Sequence, residues 1–462
     1  MGFRSVISIM SPKSIVFDPN ANAVIEAIES TGVTLTESQK LSCNNLIKRF
    51  KSAQIWTLQK ALYGILGGTA NAHKWNWLNP LDTNAAFRLT FSGTWTHSAT
   101  GMLPSSAYAN TFLTPSTHLS LNSAHLSFYS RTNSTGNFAD MGVANNSSSF
   151  SAFQIMAKWS DNRFYGQVND YDFTDNTVAD SLGFFCGSRT ASNVQKTFKN
   201  GSIVTSKSVA STLLVGYQIP IGARYLQNVA GSPGYAFYSN RQCAFASIGD
   251  GLTDGNSSDQ FNIVEQYQVD NSRGLVIGWS PTSEIGIGTN NNYELPFKGI
   301  YHYSQSGCIY LTSELGNLPK TIKSLQLFFA GFTVPYTVTN QELWIAHVAE
   351  SAFDAAPAVD FSDLTITNLT KVKNSFTHTV TNNNQWYQFD FDTNFNYNGT
   401  SNLLLIWKNM DGSATVTGAG YGRTSNATNR GMYKFSDPAY PTGDGTRISE
   451  VLNVKFLWDW VE

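Results

Sequence analysis

Residues 151–170 read SAFQIMAKWSDNRFYGQVND. Apolar and polar side chains alternate on both sides of Asp161-Asn162, the two-residue period of a half-buried strand. Asp and Asn both tolerate the positive φ that a tight turn needs. The stretch therefore predicts a β-hairpin. Similar runs surround it: AFRLTFSGTWTH (86–97), HLSFYSRT (125–132), LGFFCGSRT (182–190), KTFKNGSIV (196–204) and STLLVGYQI (211–219). Asn200-Gly201 supplies a second hairpin turn. Many short strands, frequent turns and little helix predict an antiparallel β-sandwich. Thr253 then reads as an N-cap. The helix it opens, with Phe261, Ile263, Val264 and Tyr267 as its buried stripe, should close the end of that sandwich.

Downstream, GIYHYSQSGCIYLT (299–312), IKSLQLFFAGF (322–332), QELWIAHVA (341–349), HTVTNNNQWYQFDF (378–391) and NLLLIWKN (402–409) predict a second β-rich block. Between the blocks, SPTSEIGIGTNNN (280–292) reads as loop. Upstream, residues 20–66 carry helical spacing: Ala23, Val24, Ala27 and Ile28, then Leu41, Leu46, Ile47 and Phe50, then Leu58, Leu62 and Ile65. Thr36 with Gln39 forms a capping-box pattern. Gly67-Gly68 should end the third helix. The first seventeen residues have no core of their own and are expected to dock on a partner. No small-residue cleavage site follows MGFRSVISIM, and Val6 stands where a myristoylation pattern needs Ser or Thr, so no leader or acyl anchor is expected.

Composition narrows the class. The 462 residues are 13% aromatic and 13% charged, with net charge −2 and a pI near 6.4. That charged share is about half the usual one. The near-neutral balance excludes the basic footprint of a nucleic-acid binder. No apolar run approaches the roughly 18 residues of a membrane helix. Cys43, Cys186, Cys243 and Cys308 form no CxxC pair and read as scattered buried thiols.

Several segments together resemble a recurrent module of phage structural proteins, common in phages of Bacteroidetes including the crAss-like group. They are residues 62–98 (LYGILGGTANAHKWNWLNPLDTNAAFRLTFSGTWTHS), 121–134 (LNSAHLSFYSRTNS), 182–202 (LGFFCGSRTASNVQKTFKNGS) and 238–268 (YSNRQCAFASIGDGLTDGNSSDQFNIVEQYQ). That module is similar to the concanavalin A-like lectin/glucanase fold. PFKGIYHYSQSGCIYLTSELG (296–316) and FNYNGTSNLLLIW (395–407) resemble a jelly-roll module of surface proteins. The resemblance implies an N-terminal arm and helical anchor over 1–80, a concanavalin A-like sandwich over 81–272 and a jelly-roll sandwich over 273–462. It implies a virion surface protein, a head or tail fibre. Such a chain assembles in the host cytoplasm, is exposed on the particle surface, and associates with itself as a homotrimer and with other virion proteins through its N-terminal segment. Two alternatives stand beside that reading: an adhesin that recognises host-surface glycans, and a capsule depolymerase.

The residues weigh against catalysis. Glucanases of this fold carry their two carboxyl groups on one strand as E-x-D-x-x-E, and no such pattern occurs. HExxH, HxH, GxSxG and a phosphate-loop lysine are absent too. Asp170, Asp172 and Asp175 form the densest acidic cluster. They read either as a calcium site, since hard cations gather carboxylates, or as a solvated edge. Asp390, Asp392 and Asn394 share one face opposite Phe389, Phe391 and Phe395, a pattern that a half-buried strand explains without metal. Trp159, Asp161, Asn162, Arg163 and Tyr165 around the first hairpin combine an aromatic plate with polar groups, as a sugar site does. Trp386 and Tyr387 are a second such pair.

Overall fold

The computed structural model describes residues 16–146, 150–228, 233–275, 281–286, 290–292, 294–330, 334–353, 361, 364–414, 420–425 and 427–460. The part of the expected N-terminal arm before residue 16 lies outside them. The fold is mainly β, built from antiparallel sheets with a few helices, as the alternation predicts. Two N-terminal helices form as their spacing requires. Pro19–Glu29 is capped by Asp18, whose side chain accepts from Asn20 N–H, and it buries Ala21, Val24, Ile25 and Ile28. Glu37–Ser52 opens with the complete Thr36–Gln39 capping box and buries Leu46, Ile47 and Phe50.

The expected third helix over 55–66 does not form. Gln59–Tyr63 is a strand, antiparallel to Cys243–Gly249 with Tyr63 opposite Ala246. The reason is two-sided burial. Leu62 enters one core while Ala61 and Tyr63 enter another, and a continuous apolar run looks alike at either period. The first sheet continues through Ala124–Ser130, Gly183–Ala191, Val194–Lys199 and Ser202–Lys207 on one side. On the other lie Gly101–Asn110, Pro220–Ile221, Met141–Asn146, Arg224–Asn228 and Gly234–Ala236. The Arg224–Asn228 pairing with Met141–Asn146 is parallel; its other ladders are antiparallel. The Asn200-Gly201 hairpin forms, with φ of 50° and 77°. STLLVGYQI does not form a strand. Its backbone groups bond singly instead, Thr212 N–H on the Asn169 carbonyl and Ile219 N–H on the Leu113 carbonyl.

The second block is a pair of facing antiparallel sheets. One runs Thr282–Ile285, Val454–Trp460, Lys320–Phe329, Tyr421–Ser425 and Asn290–Asn292, with Gln385–Tyr397 also on Lys320–Phe329. The other runs Ile366–Val380, Tyr336–Val348, Asn402–Asn409, Tyr303–Tyr310, Gly431–Ser436 and Thr446–Ile448. The stretch read as loop thus carries two short strands, 282–285 and 290–292. Their polar Ser, Glu and Asn residues gave no apolar signal, and pairing with the C-terminal strands fixes them instead.

Helix Asp254–Asp270 is also more than an end cap. Thr253 caps it as expected, but it runs 17 residues and is buried nearly all round. It packs on Glu37–Ser52, on the strand Gly183–Ala191 and on Thr282–Ile285. One continuous core therefore runs from Ala21 through Phe184, Phe245 and Tyr267 to Trp407 and Trp458. Phe245 lies within it between Phe50 (6.3 Å) and Phe184 (6.5 Å). Phe245→Ala is expected to cost about 3–5 kcal/mol in urea unfolding. Leu81→Ala, at a residue 57% exposed, should stay within about 0.5 kcal/mol of the parent.

Candidate binding surfaces

The first hairpin brings its five residues together as the spacing predicts. Asn162 takes φ 66° at the turn, and Trp159 N–H donates to the Arg163 carbonyl at 2.8 Å. Its polar groups, however, bind each other. Asp161 accepts from the Tyr165 hydroxyl at 2.6 Å and from Arg163 N–H at 3.0 Å, and the Arg163 guanidinium lies 3.7 Å away. The Trp159 ring is half-buried against Phe237 (5.5 Å) and Tyr165 (6.5 Å), in a small cluster with Ala139, Met156 and Phe173. Tyr387 likewise closes its own turn, accepting from the N–H groups of Thr381 and Asn382. Trp386 lies against Phe328 (5.4 Å) with the Lys455 ammonium 4.4 Å from its ring centre.

The calcium expectation at Asp170, Asp172 and Asp175 gives way to a different chemistry. The strand ends at Asp170, so the alternation that would put Asp170 and Asp172 on one strand face does not reach Asp172. Asp170 is fully buried against the Arg189 guanidinium at 3.1 Å. Lys207 fills the space among the others, 2.5 Å from buried Asp175 and 3.7 Å from Asp172. The chain supplies the cation itself, and a divalent ion there would have to displace the lysine. Burial pushes the Asp175 carboxyl up to about 6 despite that lysine. Asp390 and Asp392 point outward, opposite buried Phe389 and Phe395, which is the half-buried-strand pattern. The four cysteines are buried free thiols. His73 and His97, 24 residues apart, meet with their Nδ1 atoms 2.9 Å apart. Among the described residues no group of three or more His, Cys, Asp or Glu is placed to hold a metal ion.

A different surface gathers side chains that no local pattern marks. Tyr108 on Gly101–Asn110 stacks on Tyr235 of Gly234–Ala236, with centroids 3.5 Å apart and planes 14° apart. Tyr235 meets its cross-strand partner Tyr225 edge-on at 5.1 Å. Tyr225 stacks on Tyr217 at 4.9 Å and 28°. All four rings are half-buried, so each keeps a face or edge at the surface. Half-buried Asn110, two residues from Tyr108, donates to exposed Gln218, next to Tyr217, at 2.5 Å. Burial and the Tyr108 hydrogen bond hold the Tyr235 hydroxyl well above its ordinary range, so it is a neutral donor at physiological pH. Apolar plates beside amide and hydroxyl groups suit a ligand with apolar faces and a polar rim.

No family model matches the sequence, and no curated protein is similar to it at a significant level. Among solved structures, the binding domain of botulinum neurotoxin serotype G matches 86% of this chain and 92% of its own length, at 10% identity and a TM-score of 0.26. The serotype D binding domain matches 87% and 94%, at 9% identity and a TM-score of 0.24. Likenesses of this size say nothing of the ligand or the fold of this chain.

The raised Asp175 carboxyl gives a pH prediction. Its folded value, about 6, exceeds its ordinary value of 3.8. Its contribution to stability is therefore present below about pH 4 and is lost as pH rises through about 6. Asp175→Asn, which mimics the protonated form, should gain stability relative to the parent on going from about pH 4 to about pH 7.5. Urea midpoints of the two proteins at both pH values check this; a constant difference would contradict it.

Proposed function

We propose that this chain is a structural and adhesive surface protein of a phage particle, a head or tail fibre rather than an enzyme, and that it holds host-surface glycans on the run of Tyr108, Tyr235, Tyr225 and Tyr217. The observation that carries the adhesive part is that run: four half-buried rings, two stacked pairs that meet edge-on, converging from three strands of the first sheet and the neighbouring segment 211–219. Core aromatics lose their faces to neighbours, whereas these keep an accessible edge beside Asn110 and Gln218.

Two further observations favour a display role. Parts of the four segments that resemble the phage module are neighbours in space. Strands Gln59–Tyr63, Cys243–Gly249, Ala124–Ser130, Gly183–Ala191 and Val194–Lys199 are consecutive neighbours, and helix Asp254–Asp270 covers them. The resemblance thus follows one packed unit. The buried carboxylates Asp140, Asp170 and Asp175 each face an arginine or lysine, an arrangement suited to rigidity. Weak single sites become useful when several copies act together, since linked sites raise avidity by about 10² to 10⁴. A homotrimer on a particle supplies that multiplicity.

The test is binding of the purified chain to a glycan array and to polysaccharide from host cells. Tyr235→Ala and Tyr108→Ala should each weaken binding by about tenfold, the equivalent of 1.4 kcal/mol, with the sedimentation profile unchanged. Trp159→Ala should bind as the parent does. Tyrosine variants that bind glycan normally but sediment as smaller species would overturn the glycan assignment and make this surface a contact between copies.

A further inference from the structure

Helix Asp254–Asp270 sits on the first sheet, and strand Lys320–Phe329 belongs to the second sandwich. Asp259 and Lys320 join them. Both side chains are buried, 0% and 2% exposed, with Lys320 Nζ 2.8 Å from Asp259 Oδ1. Asp259 Oδ2 accepts from the Leu318 N–H at 3.2 Å. Gly316, at φ +82°, passes so close that a Cβ there would come within 2.1 Å of Oδ2. The lysine is held as tightly. Nζ donates to Ser283 Oγ at 3.0 Å and to the Leu315 carbonyl, and it stands 4.9 Å from the centre of the Trp458 ring. Trp458 Nε1 fixes the Ser283 hydroxyl from behind at 3.2 Å.

This pair differs from the other buried ion pairs. Asp170 and Asp140 face arginines, whose guanidinium groups stay protonated and are not nucleophiles. Lys207 is shared between Asp175 and the half-exposed Asp172. Among the described residues Lys320 faces a single carboxyl group, and both partners are buried. Burial pushes the Asp259 carboxyl up and the Lys320 ammonium down, so both move toward their neutral forms.

The geometry points to an intramolecular amide bond between Lys320 Nζ and Asp259 Cγ, a covalent clasp between the two β blocks. The neutral amine attacks Cγ of the protonated carboxyl group, and the Nζ–Cγ bond forms. Charge builds on Oδ2, where the Leu318 N–H receives it as an oxyanion donor does. A proton passes directly from Nζ to Oδ1, which stand 2.8 Å apart in the ion pair. The Cγ–Oδ1 bond then breaks and one water leaves. Nothing is oxidised or reduced, and no other reactant enters. The product exchanges two buried opposite charges for one neutral amide, which removes the desolvation cost of the ion pair. Ser283 and Leu318 are positioning residues here. For a protein displayed on a particle, the clasp would keep the helix and the second sandwich together under pulling load.

The measurement is the mass of the purified full-length chain under denaturing conditions, followed by peptide mapping. The expected result is a mass one water below that of the sequence, with one branched peptide containing both Asp259 and Lys320. Lys320→Arg and Asp259→Ala should each restore the full mass, and this readout does not require either variant to fold. A parent chain at full mass after incubation at neutral pH overturns the proposal. So does a lost water that maps elsewhere, for instance to a cyclised Asp254-Gly255 or Asp411-Gly412 site.

Discussion

Burial of the helix Asp254–Asp270 is the constraint on which the rest of the molecule depends. Only a stripe of it is apolar; Asp259, Gln260, Asn262, Glu265 and Gln268 are buried too. Buried polar groups are costly unless they find partners, and several segments around the helix supply them. Tyr129 donates to Glu265 at 2.7 Å, and Gln260 donates to Ser247 at 2.8 Å. Asn262 bonds Thr282 on the second sandwich, and Asn271 just beyond the helix bonds Ser42 on the N-terminal helix. An apolar helix could slide on such a surface. This one is locked in register, because a shift by one residue would orphan several groups together.

The same rule explains the interior charges. Asp140 with Arg241 and Asp170 with Arg189 sit at 0% exposure in both partners. The arginines satisfy backbone carbonyls as well: Arg241 bonds Ser134 and Lys158, and Arg189 bonds Val168 and Ser192. Each guanidinium therefore ties strand ends and loops of the first sheet together. These pairs add specificity more than net stability, since desolvation offsets much of their attraction. They leave a rigid frame from which surface residues are displayed.

On that frame, the two aromatic groupings of the first sheet have different fates. Trp159 packs against Phe237 and is used in holding its own hairpin. The tyrosine run is supported from below by the inner core, against which Tyr217 and Tyr225 pack, while Tyr108 and Tyr235 form its outer pair. Rings with two rotatable torsions lose little entropy on binding, and a ring already stacked on its neighbour loses less. A supported stack is thus prepared for a ligand in a way that a lone surface aromatic is not.

By itself the sequence determined the class of the fold, most strand positions, the two capped N-terminal helices, the cap at Thr253 and the Asn200-Gly201 turn. Each of these follows from interactions within a few residues: alternation, an N-cap hydroxyl, a positive φ. It also marked where Asp170, Asp172 and Asp175 and the first hairpin would cluster. Tertiary structure decided the rest. It made 59–63 a strand, because a neighbouring strand was available on a face already buried. It made Asp254–Asp270 the hub, because its polar residues found partners on four distant segments. It also placed Lys207 among the aspartates and set Tyr108 beside Tyr235, groups that lie 32 or more residues apart in the chain. Such pairings depend on sheet order and register, which no local pattern encodes, so the neutralised acidic cluster and the tyrosine surface became visible only once the strands were in place.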